Sequence, residues 1–560
     1  MRRFLILAAL LPAACAVPTQ SAADADRTAA APANLFPGLE GAHRRIAATA
    51  AAQPWFDQGL ILTYGFNHDE AVRSFQAAAA KDATCAMAAW GEAYALGPNI
   101  NLPMEDPEVA AQAHAAAQRA YDLRQHESDA NRALIEALVH RYDAEAPAER
   151  AHLDQAYAEA MRDVWQQFPR DPDVGALYAE SLLDLHPWET WTKDGQPMDN
   201  ILEVRAVLER VMELAEDHPL ANHLYIHAME ASPWPELAEP SADRLRAMFP
   251  GAGHLVHMPA HIYINVGRYR DAEEANRLAI GADRAYFDKV GPQGIYEFYR
   301  AHNHHFRVYA AMFGGRRDVA VQSARDLVAD LPPSLLEGMP GLVDGFLAVP
   351  LHAMIRFGQW QDVLDEPYPE GEYPIAQALW HYAHGIALAA TGKVDDARAA
   401  QAKFAAAADA VPEDAVIGIN PAPPVIEVAR HMLAGEILYR AGDFDAAFDE
   451  LNEAVRREDA LRYDEPSPWM QPVRHALGAL LLEQHRIAEA EAVYQEDLER
   501  HRENGWALHG LAECRRQRGA DAEAEALEAR YRRAFAAADI DLAASCFCRV
   551  AAGAAAPACE

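Results

Sequence analysis

Residues 266–279 read VGRYRDAEEANRLA, and three later stretches follow the same grammar: TGKVDDARAAQAKF at 391–404, AGDFDAAFDELNEA at 441–454 and EQHRIAEAEAVYQE at 483–496. Each carries a turn, usually with glycine, then an alanine five residues on (Ala272, Ala397, Ala447, Ala490), then a bulky or apolar residue. About seven residues before each turn a small residue, Ala260, Gly385, Gly435 or Gly478, falls in the middle of another apolar, helix-periodic run. Helix, turn, helix at a recurring spacing predicts an array of helix pairs.

The composition agrees. The chain has 560 residues, long for a single core, yet no Gly/Ser or Pro tract divides it, and an array resolves that tension. Hydrophobic residues make up 51%, alanine is abundant and Val/Ile/Thr alternation is scarce, so local propensity favours helix almost throughout. The expected class is all-α.

These stretches resemble tetratricopeptide repeats, units of about 34 residues. Trp55, Gly59, Ala71, Phe75 and Ala78 fall on the Trp, Gly, Ala, Phe and Ala places of the repeat, and Trp90, Gly91 and Tyr94 start a second copy. Residues 106 to 190 fit loosely, and from about 219 the register is firm, with units starting near 219, 253, 301, 344, 378, 428, 471 and 505. The expected divisions are N-terminal units over 41–104, divergent hairpins over 105–218, histidine-rich units over 219–377 and C-terminal units over 378–540. The resemblance implies a solenoid of stacked antiparallel helix pairs in a right-handed superhelix. It also implies that the first helix of each pair lines a concave groove through its second, fifth, ninth and twelfth places.

Histidines fall on those places. In HLVHMPAHIYI, His254, His257 and His261 take the second, fifth and ninth; in HPLANHLYIHAMEAS, His223 takes the fifth, His227 the ninth and Glu230 the twelfth. His302 and His305 follow at the second and fifth of AHNHHFRVYAAMFGG, and His352 at the ninth of VPLHAMIRFGQW. His475 and His509 take fifth places farther on, whereas His304, His381, His384 and His431 are expected to be packing. Imidazoles at i and i+4 share one helix face and can hold a cation between them. The pairs His223/His227 and His257/His261 are thus expected to converge on a single ion across adjacent helices, with His254, His302, His305 and Glu230 forming a second site or the shell behind it. Imidazole donors suit copper, zinc or iron.

His352, His475, Tyr225, Tyr263 and Trp469 are candidate pocket walls; their bland reading is packing. Pro259 and Pro350, each two residues before a histidine, are expected to kink a helix or simply to start one. No H-E-x-x-H, nucleophile elbow or phosphate loop occurs, so no catalytic residue or substrate is named, although a metalloenzyme fits the donor set. The alternative is a metal-free scaffold whose groove binds a peptide or protein, the histidines acting as contacts or pH sensors.

The formal charge of -35 opposes binding to nucleic acid or anionic lipid. MRRFLILAALLPAACAV pairs Arg2 and Arg3 with a short apolar run and small residues, the pattern of an export signal over 1–16 rather than a membrane span. Cys15 resembles a lipoprotein acceptor, though Pro12 stands where that motif expects leucine, and cleavage after Ala16 is the alternative. The expected destination is the periplasm or the outer envelope, as a lipoprotein if Cys15 carries lipid. An alanine-rich tether is expected over 17–40 and a cysteine-containing tail over 541–560, where Cys546 and Cys548 are expected to avoid bridging each other, leaving Cys85, Cys514 or Cys559 as partners.

Overall fold

The structure, a computed structural model, describes residues 34–102, 106–147, 149–291, 296–338 and 340–549. The expected signal at 1–16, Cys15, most of the tether and Cys559 lie outside the described residues. The described chain is all-α, a tetratricopeptide-type solenoid whose one named sheet is a two-residue ladder, Val416–Ile417 against Asn420–Pro421. No described helix is long and apolar enough to cross a membrane. The chain divides into two compact units, one over 33–310 and the other over 311–560.

In the first unit, helices Gln53–Tyr64, His68–Lys81 and Ala86–Ala95 show why the repeat spends glycine where it does. A Cβ on Gly59 would come within 2.7 Å of the Phe75 ring, and one on Gly91 within 2.4 Å of the same ring. Phe75 is thus a knob held between the glycines of two successive first helices. The second unit repeats the device with Tyr494, which would meet a Cβ on Gly478 at 2.5 Å and one on Gly510 at 2.2 Å. Leu451 plays the part against Gly435. Close packing of this kind leaves no room for one extra methyl group.

Helix ends follow elementary rules. Asn67 and Asp171 accept N–H groups at the starts of His68–Lys81 and Pro172–Leu183, and His218 does the same through Nδ1 for Pro219–Met229, which opens on a proline at its first turn. Pro350 likewise stands in the first turn of Val349–Arg356, an ordinary helix start. Pro259 does more: the first helix of its repeat is broken into Gly253–His257 and Pro259–Asn265. Residues 34–40, expected as the end of a tether, are anchored, with Phe36 and Leu39 buried and Gly251 N–H donating to the Gly38 carbonyl at 3.0 Å.

One expectation is overturned. Cys546 and Cys548 are bridged to each other, and Cys85 and Cys514 are free and buried. The turn at 543–549 brings the two Cα atoms to 5.2 Å, inside the range a disulfide spans, so the short separation is no obstacle.

Candidate metal centre

Helix Pro219–Met229 presents His223 and His227; Gly253–His257 presents His254 and His257; Pro259–Asn265 presents His261; and Tyr296–Phe313 presents His302. Their nitrogens gather into two triads, His223/His227/His254 and His257/His261/His302, each offering one donor atom per residue with all three within 4.8 Å of one another. The six imidazoles expected to gather do lie together, in a different grouping. The expected four-histidine set divides into its two i,i+4 pairs, and His254 and His302 each join one of them. The break before Pro259 separates the segment carrying His257 from that carrying His261, yet the two rings meet with Nε2 atoms 2.8 Å apart.

The tautomers can be read from the outer contacts. His223 Nδ1–H donates to the Tyr64 carbonyl at 2.7 Å, and His227 Nδ1–H to Glu230 Oε1 at 3.0 Å. Asn276 spends its NH2 group on the Ala272 carbonyl at 2.8 Å, so its oxygen accepts from His257 Nδ1–H at 2.7 Å. His261 Nδ1 lies 2.7 Å from the other oxygen of Glu230. His223, His227 and His257 thus spend Nδ1 on an acceptor and turn a lone pair inward on Nε2, the arrangement in which outer partners orient metal-bound imidazoles. His227 Nε2 is buried with no hydrogen-bond partner. The inward lone pair of His257 faces His261 Nε2 at 2.8 Å, a distance that places a proton or a cation between the two nitrogens. His223 Nε2 and His254 Nε2 are 3.3 Å apart. Two nitrogens on one tetrahedral ion at ordinary metal–nitrogen distances stand about 3.4 Å apart.

The cluster is largely enclosed, with His302 alone of the six rings partly exposed. His223 and His257 are fully buried, and His227, His254 and His261 nearly so. The cover is aromatic. Phe66 lies 4.7 Å from the His223 ring and stacks on His254 at 5.0 Å; Tyr299 packs on the other ring contact of His254 at 5.0 Å; Trp188 meets the edge of His227 at 5.4 Å. Phe306 closes on His257 at 5.0 Å and His261 at 4.8 Å. Phe66 and Trp188 both hold a left-handed backbone, φ 56 and 64, a conformation that costs free energy and is retained where the surroundings demand it. Burial, first, and then the neighbouring imidazoles push the basicity of His223, His254, His257 and His302 well below the ordinary histidine range, and the same two causes act on His227. The rings are therefore held neutral, the form that binds metal.

The remaining expected residues sort cleanly. Glu230 accepts from His227 Nδ1–H and lies 2.7 Å from His261 Nδ1, outside the two histidine triads but close enough to His261 to offer an ion an oxygen beside it. His305, half-buried, is in neither triad, and His304 is buried as packing. Tyr225 and Tyr263 turn away to neighbouring helices, donating to Glu209 at 2.9 Å and Asp243 at 2.7 Å. His352, Trp469 and His475 belong to the second unit. There the first two rings meet edge-on at 5.3 Å, and His475 Nε2–H donates to Asp497 at 2.7 Å. His384 donates to the Trp380 carbonyl and His431 to Glu450, as packing residues would.

Sequence reasoning missed Tyr64, Phe66, Trp188, Asn276, Tyr299 and Phe306. Asn276 had a signal. Four residues after the repeat alanine stand Phe75, Leu451 and Tyr494, the knobs; after Ala272 that place holds Asn276, a buried polar residue where an apolar one belongs.

No protein-family model matches the chain, and no curated protein does. Solved structures do. Human IFIT1 with PPP-AAAA is 13% identical, with 88% of this chain and 92% of that chain covered and a TM-score of 0.33; human IFIT1 with m7Gppp-AAAA gives 13%, 87%, 90% and 0.29. Yeast Tom70 is 11% identical over 86% of this chain and 89% of its own, with a TM-score of 0.27. Both proteins are helical solenoids, and the likeness goes no further than that. The glycine-held knobs and paired helices place this chain among tetratricopeptide-type arrays.

Proposed function

We propose that this protein is a transition-metal protein whose two histidine triads hold copper, zinc or iron. The observation that carries the reading is the orientation of the rings: outer acceptors take the Nδ1 protons of His223, His227 and His257, leaving inward Nε2 lone pairs in a largely buried, aromatic-walled site. A buried acceptor without a donor costs about 1–3 kcal/mol, and several in one place are sustained when an ion satisfies them together. The donors are neutral nitrogens, which disfavours magnesium, calcium and manganese and suits the imidazole-seeking metals. When bound, the ion supplies Lewis acidity or electron transfer; the chain orients the donors, keeps them unprotonated and excludes bulk water.

The scaffold reading, in which the histidines contact a docked peptide, is less well supported at this site because the rings are covered by side chains of the same unit. It survives for other faces of the array. The amino-terminal pattern supports export to the envelope, where such a protein would meet metal outside the cytoplasm. Elemental analysis of the purified protein is the test. Stoichiometric metal is expected in the native chain, with loss in His223→Ala/His257→Ala that leaves far-UV dichroism unchanged. Metal-free native protein after incubation with copper(II), zinc(II) and iron(II) would overturn the reading.

A further inference from the structure

We propose that the centre is a two-ion site: each triad takes its own ion, and the two ions share one small bridging anion of hydroxide or azide size. The inference rests on the metal-binding reading above. Within the first triad the ring centroids of His223 lie 4.9 Å from His227 and 5.0 Å from His254, and within the second those of His257 lie 4.8 Å from both His261 and His302. The third spacing of each triad is longer, 6.5 Å from His227 to His254 and 6.0 Å from His261 to His302, and the spacings across the triads fall within the same range: 5.7 Å from His227 to His261 and 5.8 Å from His254 to His257. Three donors leave a four-coordinate ion one position short. Two such ions a few ångström apart therefore have their open positions within reach of a single small ligand.

Charge requires that ligand. The donors of both triads are imidazoles, and the carboxylate in contact with them within this unit, Glu230, supplies one negative charge against the four of two dications, accepting from His227 Nδ1–H and lying 2.7 Å from His261 Nδ1. Two dications so close repel strongly in a site shielded from water, and an anion between them converts much of that repulsion into attraction. Phe66, Tyr299 and Phe306 pack on the histidine rings at about 5 Å, which argues for a small bridging ligand rather than a substrate-sized one. Glu230 ties the triads together from behind, since one carboxylate orients a ring of each.

The test uses the full chain, stripped of metal and titrated with copper(II), with copper counted by elemental analysis and read by electron paramagnetic resonance. The expected result is two coppers per chain whose resonance integrates to well under one spin, because a shared bridge couples them; azide then adds a charge-transfer band that saturates at one equivalent per copper pair. His302→Ala, altered in the second triad, is expected to hold one copper with a full, isolated signal. One copper per native chain, lost on changing either triad, would overturn the two-ion assignment while leaving metal binding intact. Two coppers with full, independent signals would overturn the shared bridge. No copper uptake would remove the proposal together with the reading on which it rests. The native count decides without any variant, so a failure of His302→Ala to fold would not blunt it.

Discussion

Two regions of this chain place histidines on equivalent first-helix positions and do different things with them. In the second unit, Asp497 is fully buried and accepts from both His475 at 2.7 Å and His501 at 3.0 Å, with Asn504 donating to the same carboxylate at 3.0 Å. Carboxylate and imidazoles meet face to face, although His475 Nδ1, on the far side of its ring, is buried without a hydrogen-bond partner. In the first unit the acceptors stand behind the rings, on Nδ1, and the Nε2 atoms face one another. His475 matches the first-unit histidines in burial and repeat position, whereas His501 is partly exposed at the end of Ile487–Arg500. What separates a structural histidine cluster from a metal-ready one is which side of the ring the acceptor occupies.

The comparison can be broken from either side. Asp497→Asn removes the shared acceptor of a buried network and is expected to cost about 3 kcal/mol, because breaking a buried pair leaves its partners uncompensated. Thermal melting should show the drop while metal content stays at its native value; a fall in metal content would show that the second cluster is not merely structural. Almost as large an effect is expected from acid at His352, whose burial lowers its pKa from 6.5 to about 4. Its folded value lies below its unfolded one, so between those two limits the unfolded chain binds the extra proton. Stability from this group is full above pH 6.5 and is lost as pH falls toward 4, by roughly 3 kcal/mol in all. Denaturant titrations of the native protein and His352→Phe across that window should diverge by the uptake of one proton; parallel curves would refute the assignment.

Smaller effects probe the outer partners. Glu230→Gln replaces the acceptor behind His227 and His261 and should weaken metal binding about 10- to 100-fold, the range typical of such partners, with little change in melting temperature. Asn276→Leu restores an apolar knob like Leu451, so roughly tenfold weaker metal binding is expected together with an unchanged or raised melting temperature. Competition titration against a chelator, paired with thermal melts, separates the two outcomes. A variant that binds metal normally would mean that the orientation of His257 does not depend on the amide.

Much of this was legible in the sequence for one reason: helical periodicity is local. The Gly59 and Phe75 spacing, the repeat alanines and the phase of His223, His227, His254, His257, His261 and His302 all follow from residues a few places apart on known helix faces. What the pattern lacked was contact between distant segments. Glu230 reads as a ligand because it shares a face with His227, and only the approach of His261 shows that it stands against two rings at once. Phe66 covers His223 from 157 residues away in the chain, through a left-handed turn residue that no propensity would place there. The four-histidine set divides because each i,i+4 pair meets a third ring from another place, His254 or His302, before it meets the other pair, and the Cys546–Cys548 bridge was missed because a C-x-C pair was expected to be too strained to close.

The claim that the triads aim Nε2 lone pairs at bound ions is tested most directly by diffraction from crystals of the metal-loaded protein, recorded at the absorption edge of the metal. The account expects two anomalous peaks, one inside His223/His227/His254 and the other inside His257/His261/His302, each bonded through Nε2 of its orienting rings at about 2.0–2.1 Å. Anomalous density confined to surface carboxylates, with the buried rings unshifted and unliganded, would contradict it.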